Sequence, residues 1–159
     1  MQKITKSVEI KAPAEKVFAF VSDSASPDWL KLSISPMKVE KITKGKTEKD
    51  TIYHFSVQLP GTSQWLEHDL RIVEWDPPRK LVNEVINGPF AGMRFYHHIV
   101  ETVKGSVKYT GTVEYTFPKD IEGLTEKSAN ELFEYRTEEF ARRLKKILEE
   151  ERQTSPEMG

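Results

Sequence analysis

Four histidines, His54, His68, His97 and His98, carry most of the acid–base chemistry open to this chain. His97 and His98 are neighbours in an alternating segment. On a strand their side chains leave by opposite faces and cannot line one pocket together. Zinc or iron needs three or more convergent ligands. The chain has no cysteine, and it contains no His-x-His or His-x-x-x-His pair, so no metal site is expected. The lack of cysteine also removes disulfides and thiolate catalysis. No G-x-S-x-G, P-loop or G-x-G-x-x-G is present, which leaves a serine nucleophile, nucleotide binding and hydride transfer without support. No cofactor is expected. His97 is then either a polar residue in an apolar surround, or a ligand contact or general base. Tyr109 and Tyr115 share a strand face with Val113 between them. The catalytic candidates are His97, Tyr109 and Tyr115.

Arg136 and Thr137 are the second chemical feature. They lie in LTEKSANELFEYRTEEFARRLKKILEEER, residues 124–152, a stretch with no internal Pro or Gly. Ala129, Phe133, Phe140, Leu144, Ile147 and Leu148 recur there at three- and four-residue spacing, one face of a long amphipathic helix. Thr125, with Ser128 and Glu131 after it, offers N-cap chemistry. At about 100° per residue, Arg136 and Thr137 fall on either side of the Phe133–Phe140 line, inside the apolar stripe. A guanidinium there has three courses. It snorkels to the mouth of a cavity, pairs with an internal acid, or points into the cavity and holds a polar group of a ligand.

A helix this long needs a large apolar surface, and the upstream chain supplies one. Residues 2–10 alternate as a half-buried strand. Ala12-Pro13-Ala14-Glu15 opens a helix with Pro13 at its first position, and Pro27-Asp28-Trp29-Leu30 reads as a second, short one. From Met37 to Pro118 the period is two, with strands near 37–44, 51–59, 64–75, 80–87, 92–103 and 106–117. Turn residues at Gly45-Lys46, Pro60-Gly61, Asp76-Pro77-Pro78, Gly88-Pro89 and Lys104-Gly105 separate them. The long strand is apolar on both sides, so the facing of Trp65 and Trp75 stays open. Short connections mean antiparallel neighbours. The expected fold is α+β, a curved antiparallel sheet of about seven strands gripping a long C-terminal helix, with two short helices between strands 1 and 2. Such a sheet leaves a cavity under the helix. Successive turns alternate ends, so loops 60–63, 87–92 and 118–124 lie together as its entrance.

The chain has 159 residues, 37% of them hydrophobic and 31% charged, and a formal net charge of −1. Residues 1–152 are expected to form a single domain and 153–159 a flexible tail. The charge balance argues against nucleic-acid binding. Arg142, Arg143, Lys145 and Lys146 read as a solvated helix face. No apolar run suggests a signal peptide or a membrane span, which makes the cytoplasm the expected compartment.

The segments VEIKAPAEKVFAFVSDSASPDWL, EWDPPRKLVNEVINGPF, GMRFYHHIVE and VKYTGTVEYTFP resemble the START-like helix-grip (SRPBCC) superfamily, and within it the polyketide cyclase/dehydrase and ligand-binding branch. The resemblance covers nearly the whole chain in order. Carried over residue by residue, it implies a pocket face made of His68, Leu70, Leu81, Asn83 and Val85, then Met93, Phe95, His97 and Ile99, then Tyr109, Val113 and Tyr115. Phe133, Arg136, Thr137 and Phe140 would face them from the helix. His68 stands where relatives often have Trp, and Asn83 where they often have Asp. A carboxylate at 83 would have oriented His97 and raised its pKa, and a neutral amide does not. The function expected is binding or transport of a hydrophobic or amphipathic small molecule, such as a lipid, by a non-enzymatic protein. One alternative is a polyketide cyclase/dehydrase-like enzyme with His97 as acid–base. Another is a protein-interaction domain with a vestigial cavity. The sequence leaves ligand and oligomeric state open.

Overall fold

The period-two segments become one antiparallel sheet. The computed structural model describes residues 1–58, 63–118, 121 and 123–153, with side chains as far as residue 151. Along the chain run β1 (Gln2–Ile10), α1 (Ala14–Ser22), α2 (Pro27–Leu30), β2 (Met37–Lys41), β3 (Ile52–Gln58), β4 (Trp65–Asp76), β5 (Lys80–Val85), β6 (Arg94–Glu101), β7 (Val107–Tyr115) and α3 (Glu126–Gln153). The spatial order is β1-β7-β6-β5-β4-β3-β2. Strands β2 to β7 form a meander, and β1 returns to pair with β7, Ile4 opposite Val113. This is the expected α+β arrangement of a curved sheet and a long C-terminal helix. No helix among the described residues is long and apolar enough to cross a membrane.

Several strands stop short of their expected ends, and local hydrogen bonding explains it. Gly92 adopts φ 95° and its N–H donates to the carbonyl of Val85 at 2.7 Å, so it belongs to the β5–β6 turn and β6 begins at Arg94. Pro13 has extended backbone (φ −69°, ψ 149°) and is the N-cap of α1 rather than its first helical residue. Gln153 is still helical. The rest of the expected tail lies outside the described residues, as does the Pro60-Gly61 turn.

A register shift between Ile72 and Glu74 settles the long strand. The extra residue reverses the alternation, so Ile72 and Trp75 both face inward despite their odd spacing. Trp75 packs edge-on against Phe18 of α1, ring centroids 4.9 Å apart. Trp65 is exposed, with the Lys38 ammonium 5.5 Å above its ring.

The start of α3 is fixed by a reciprocal pair. The Thr125 hydroxyl accepts from the Ser128 N–H at 3.0 Å, and the Ser128 hydroxyl accepts from the Thr125 N–H at 2.9 Å. This satisfies two backbone donors that the helix cannot bond itself. At 28 residues, α3 runs on the order of 40 Å. Ala129, Phe133, Ala141, Leu144 and Leu148 are buried along it. Its far half is tied to the end of β1: Lys145 Nζ donates to the Glu9 carbonyl at 2.8 Å, and the Lys11 N–H donates to Glu149 Oε2 at 2.9 Å.

Candidate ligand-binding site

The inner face of the sheet is shared by two covers. α1 packs on β5 and β6. There Leu81 and Ile99 are buried in the core and do not line a cavity, contrary to the expectation for both. Beyond α1, the sheet and α3 stand apart around a cavity of about 150 Å³. An apolar cavity of this order takes up one benzene ring, and ligand sites generally begin at about 300 Å³. The space as it stands suits a compact body.

From the sheet, the wall includes His68 and Leu70 of β4, Asn83 and Val85 of β5, Phe95 and His97 of β6, and Tyr109 and Val113 of β7, with Met93 just before β6. From α3 come Phe133, Arg136, Thr137 and Phe140. Tyr115 is the exception among the expected site residues. It shares the inner face, but Phe133 packs against its ring at 4.8 Å and Phe90 at 6.3 Å. Its hydroxyl donates to Asn130 Oδ1 at 3.3 Å. Tyr115 is therefore core, and the aromatic cover from α3 and the β5–β6 loop is the reason.

One part of the wall was not anticipated. Trp29, Leu32, Ser33, Ile34 and Ser35, from α2 and the segment leading to β2, close the side opposite β6 and β7. Trp29 packs edge-on against Phe55 at 5.8 Å and Phe140 at 5.9 Å. Arg143 of α3 donates to the Ser33 carbonyl at 2.8 Å and holds the segment down. Trp29 Nε1 and Ser35 Oγ are buried without a hydrogen-bond partner among the described residues. The short, turn-rich stretch carries no periodicity; the only available signal was the bulky Trp29.

The expected entrance falls in part on residues 60–62, 119–120 and 122, which lie outside the described residues. The cavity wall does reach Gln58, Phe90 and Leu124 beside them. Phe90 is turned inward, edge-on to Phe133 at 5.5 Å. Gly88 sets this loop against β4. It has φ 82°, and a Cβ there would stand 2.8 Å from the Glu67 carbonyl oxygen.

Several polar side chains belong to this wall. His97 Nδ1 and the Tyr109 hydroxyl are 2.6 Å apart, both buried. Burial, helped by the neighbouring His98, pushes His97 down to about 4, so the ring is neutral at pH 7. Burial also raises Tyr109. A buried phenol needs an acceptor, and His97 is the one that the described residues give it. Tyr109 therefore donates to Nδ1, and the proton of the neutral ring sits on Nε2.

His68 is stacked on Phe55, centroids 5.4 Å apart and planes 7° from parallel. Burial, with the Arg136 charge adding to it, pushes His68 down to about 4. The Asn83 side chain has no hydrogen-bond partner among the described residues, so no tyrosine hydroxyl engages it. Arg136 is half-buried, and its side chain forms part of the cavity wall. It has no ion pair or hydrogen bond among the described residues and lies 6.0 Å above the Phe133 ring. Of the three courses open to it, pairing with an internal acid is not taken. Burial pulls its pKa down, yet a guanidinium stays protonated at any ordinary pH. Thr137 beside it donates its hydroxyl proton to the Phe133 carbonyl at 2.7 Å, so it has no donor to offer a ligand.

Comparison with known proteins follows this geometry. The model of a family described as polyketide cyclase / dehydrase and lipid transport matches residues 1–149. No curated protein matches the chain. Among solved structures, the Zhui aromatase/cyclase from a Streptomyces species is similar, with a TM-score of 0.77 at 13% identity over 98% of each chain. TTHA0849 from Thermus thermophilus has a TM-score of 0.75 at 16% identity, over 97% of this chain and all of that one. The di-domain ARO/CYC protein BexL, from the BE-7585A biosynthetic pathway, has a TM-score of 0.71 at 16% identity, over 98% of this chain and 48% of its own. At these identities the likeness is one of fold.

Proposed function

The chain belongs to the polyketide cyclase / dehydrase and lipid transport family, and we propose that within it this protein binds a small hydrophobic or amphipathic molecule between the sheet and α3. The observation that carries the reading is the wall itself. It is largely apolar, and three of its polar side chains, Asn83, His68 and Arg136, have hydrogen-bonding capacity that the described residues leave unused. A site built for a ligand has this composition, since apolar area supplies affinity and a few placed polar groups supply orientation. We place the activity in the cytoplasm, in keeping with a chain that has no cysteine.

An enzyme is the second reading, favoured by the His97–Tyr109 pair and by the aromatase/cyclases among the structures of similar fold. A general base works best with a pKa near the working pH. His97 is held near 4 with no carboxylate beside it, which makes it a weak base and a good hydrogen-bond donor through Nε2. That favours binding over catalysis. Native mass spectrometry of the purified protein tests the proposal. A co-purifying apolar molecule supports it. Turnover of an aromatic or polyketide-like model substrate, lost in His97→Gln, would replace it with the enzyme reading.

A further inference from the structure

We propose that Arg136 is the anion-binding point of the cavity and that the ligand is an acid-headed amphipath, a carboxylate on a compact apolar body. The inference rests on the reading of the cavity as a ligand site and narrows it to a chemical class.

Arg136 is the one side chain of the described wall that carries a charge at neutral pH, because the wall contains no Asp, Glu or Lys and both of its histidines are held neutral. The acids of α3 face elsewhere. Glu139 is taken by Arg142 and Arg143, and Glu134 and Glu138 by Lys6 on β1. A half-buried charge at an apolar wall, without a counter-charge, is costly. The Phe133 ring offsets only a fraction of it.

The donor set selects the class. A guanidinium presents its N–H groups in a planar fork that matches the two oxygens of a carboxylate. One bound carboxylate neutralises the cavity, whereas a phosphate dianion would leave a net negative charge enclosed with it. His68 completes the cradle. As a neutral ring with no hydrogen-bond partner among the described residues, it has an N–H to give, and it is close enough to feel the Arg136 charge. Asn83 adds an amide of the same kind. The remaining wall and its volume of about 150 Å³ fit a ring or a short chain behind the acid.

The test compares phenylacetate and hexanoate with their methyl esters, by isothermal titration calorimetry on the wild type, Arg136→Met and Arg136→Lys. A charge-assisted contact predicts that each acid binds the wild type about tenfold or more tighter than its ester. In Arg136→Met the ratio should fall to one or below, with the melting temperature held or raised. In Arg136→Lys, which keeps the charge and loses the fork, a reduced preference should remain. Equal affinity for acid and ester in the wild type overturns the role of Arg136 and leaves the ligand-binding reading standing. An acid preference that survives in Arg136→Met overturns it equally. If neither acids nor esters bind the wild type, the ligand-binding reading falls and the proposal with it. Should Arg136→Met fail to fold, the wild-type ratio and Arg136→Lys decide.

Discussion

Tyr109 reaches His97 across the β6–β7 seam because Gly111 stands in the register position opposite His97. A Cβ at 111 would lie 3.1 Å from the Tyr109 hydroxyl oxygen. The glycine leaves the corridor through which the phenol approaches the ring, and the bond fixes the tautomer that His97 offers to the cavity.

Tyr109→Phe tests that bond. It leaves Nδ1 of a buried imidazole without its donor, at a cost of about 1–3 kcal/mol. The ring is then free to take the other tautomer. Urea unfolding should show the loss of stability, and imidazole ¹⁵N shifts should show the proton leaving Nε2. A variant as stable as the wild type with unchanged shifts would mean that Tyr109 does not set the tautomer.

The same residue predicts a pH dependence. His97 has its folded pKa lowered to about 4, from an unfolded value near 6.5. Between those values the unfolded chain binds a proton that the folded protein refuses, so stability rises with pH across the window. On lowering pH it is lost from about 6.5 down to about 4, by on the order of 2–4 kcal/mol for a shift of this size. His68 adds in the same direction. His54 acts oppositely, because Asp69 and Glu67 raise it. Melting temperature against pH should be flatter over this window in His97→Gln. An equal slope in both proteins would show that His97 titrates normally in the fold.

Phe133 and Phe140 should separate although both sit on the apolar stripe of α3. Phe133 is 7% exposed and packed by Tyr115 and Phe90. Phe133→Ala should cost about 3–5 kcal/mol. Phe140 is half-buried against the open volume of the cavity. Its truncation enlarges a space that already exists and should cost less, about 1–3 kcal/mol. Denaturant midpoints give the order directly, and a larger loss at Phe140 would mean that the cavity is closed around it.

Gly88→Ala should be strained twice over, by the positive φ and by the Glu67 carbonyl. We expect a cost of about 1–3 kcal/mol. The displaced loop should also move Phe90 and the His68 backbone, which amide shifts would report. A neutral substitution would mean that the loop is not pressed on β4.

The fold was legible because its signals are local and repeated. Alternation from Met37 to Pro118, turn residues at the breaks and one uninterrupted helical stripe specify a meander and a covering helix. The facing of Trp75 was not legible, since it depends on one inserted residue at the β4 bulge, and an insertion leaves no trace in a period that is apolar on both sides. The site was legible by face and not by extent. The resemblance implied an inner-face position for Leu81, Ile99 and Tyr115, and all three are buried, but where α1 and Phe90 cover that surface is a tertiary matter. The segment around Trp29 to Ser35 was invisible as a wall because nothing periodic marks it. Arg136 stood out because a charge inside an apolar stripe breaks a rule that helix geometry makes strict.

The β1–β7 seam has a kinetic meaning. Five hairpins, β2 to β7, can form between neighbours in the chain, whereas Thr5 and Thr112 join residues 107 positions apart. Closing so long a loop is entropically slow, and contacts of this separation are made late. α3 leans on β1 more than on β7, and Lys6 to Glu134 and Lys145 to Glu9 tie it there. The binding space is therefore expected to close in the final stage of folding, when the first strand pairs. A chain paused before that step would hold a formed meander, an unroofed apolar face and an open edge at β7. Such a species would have no closed cavity, so a ligand could not yet stabilise it.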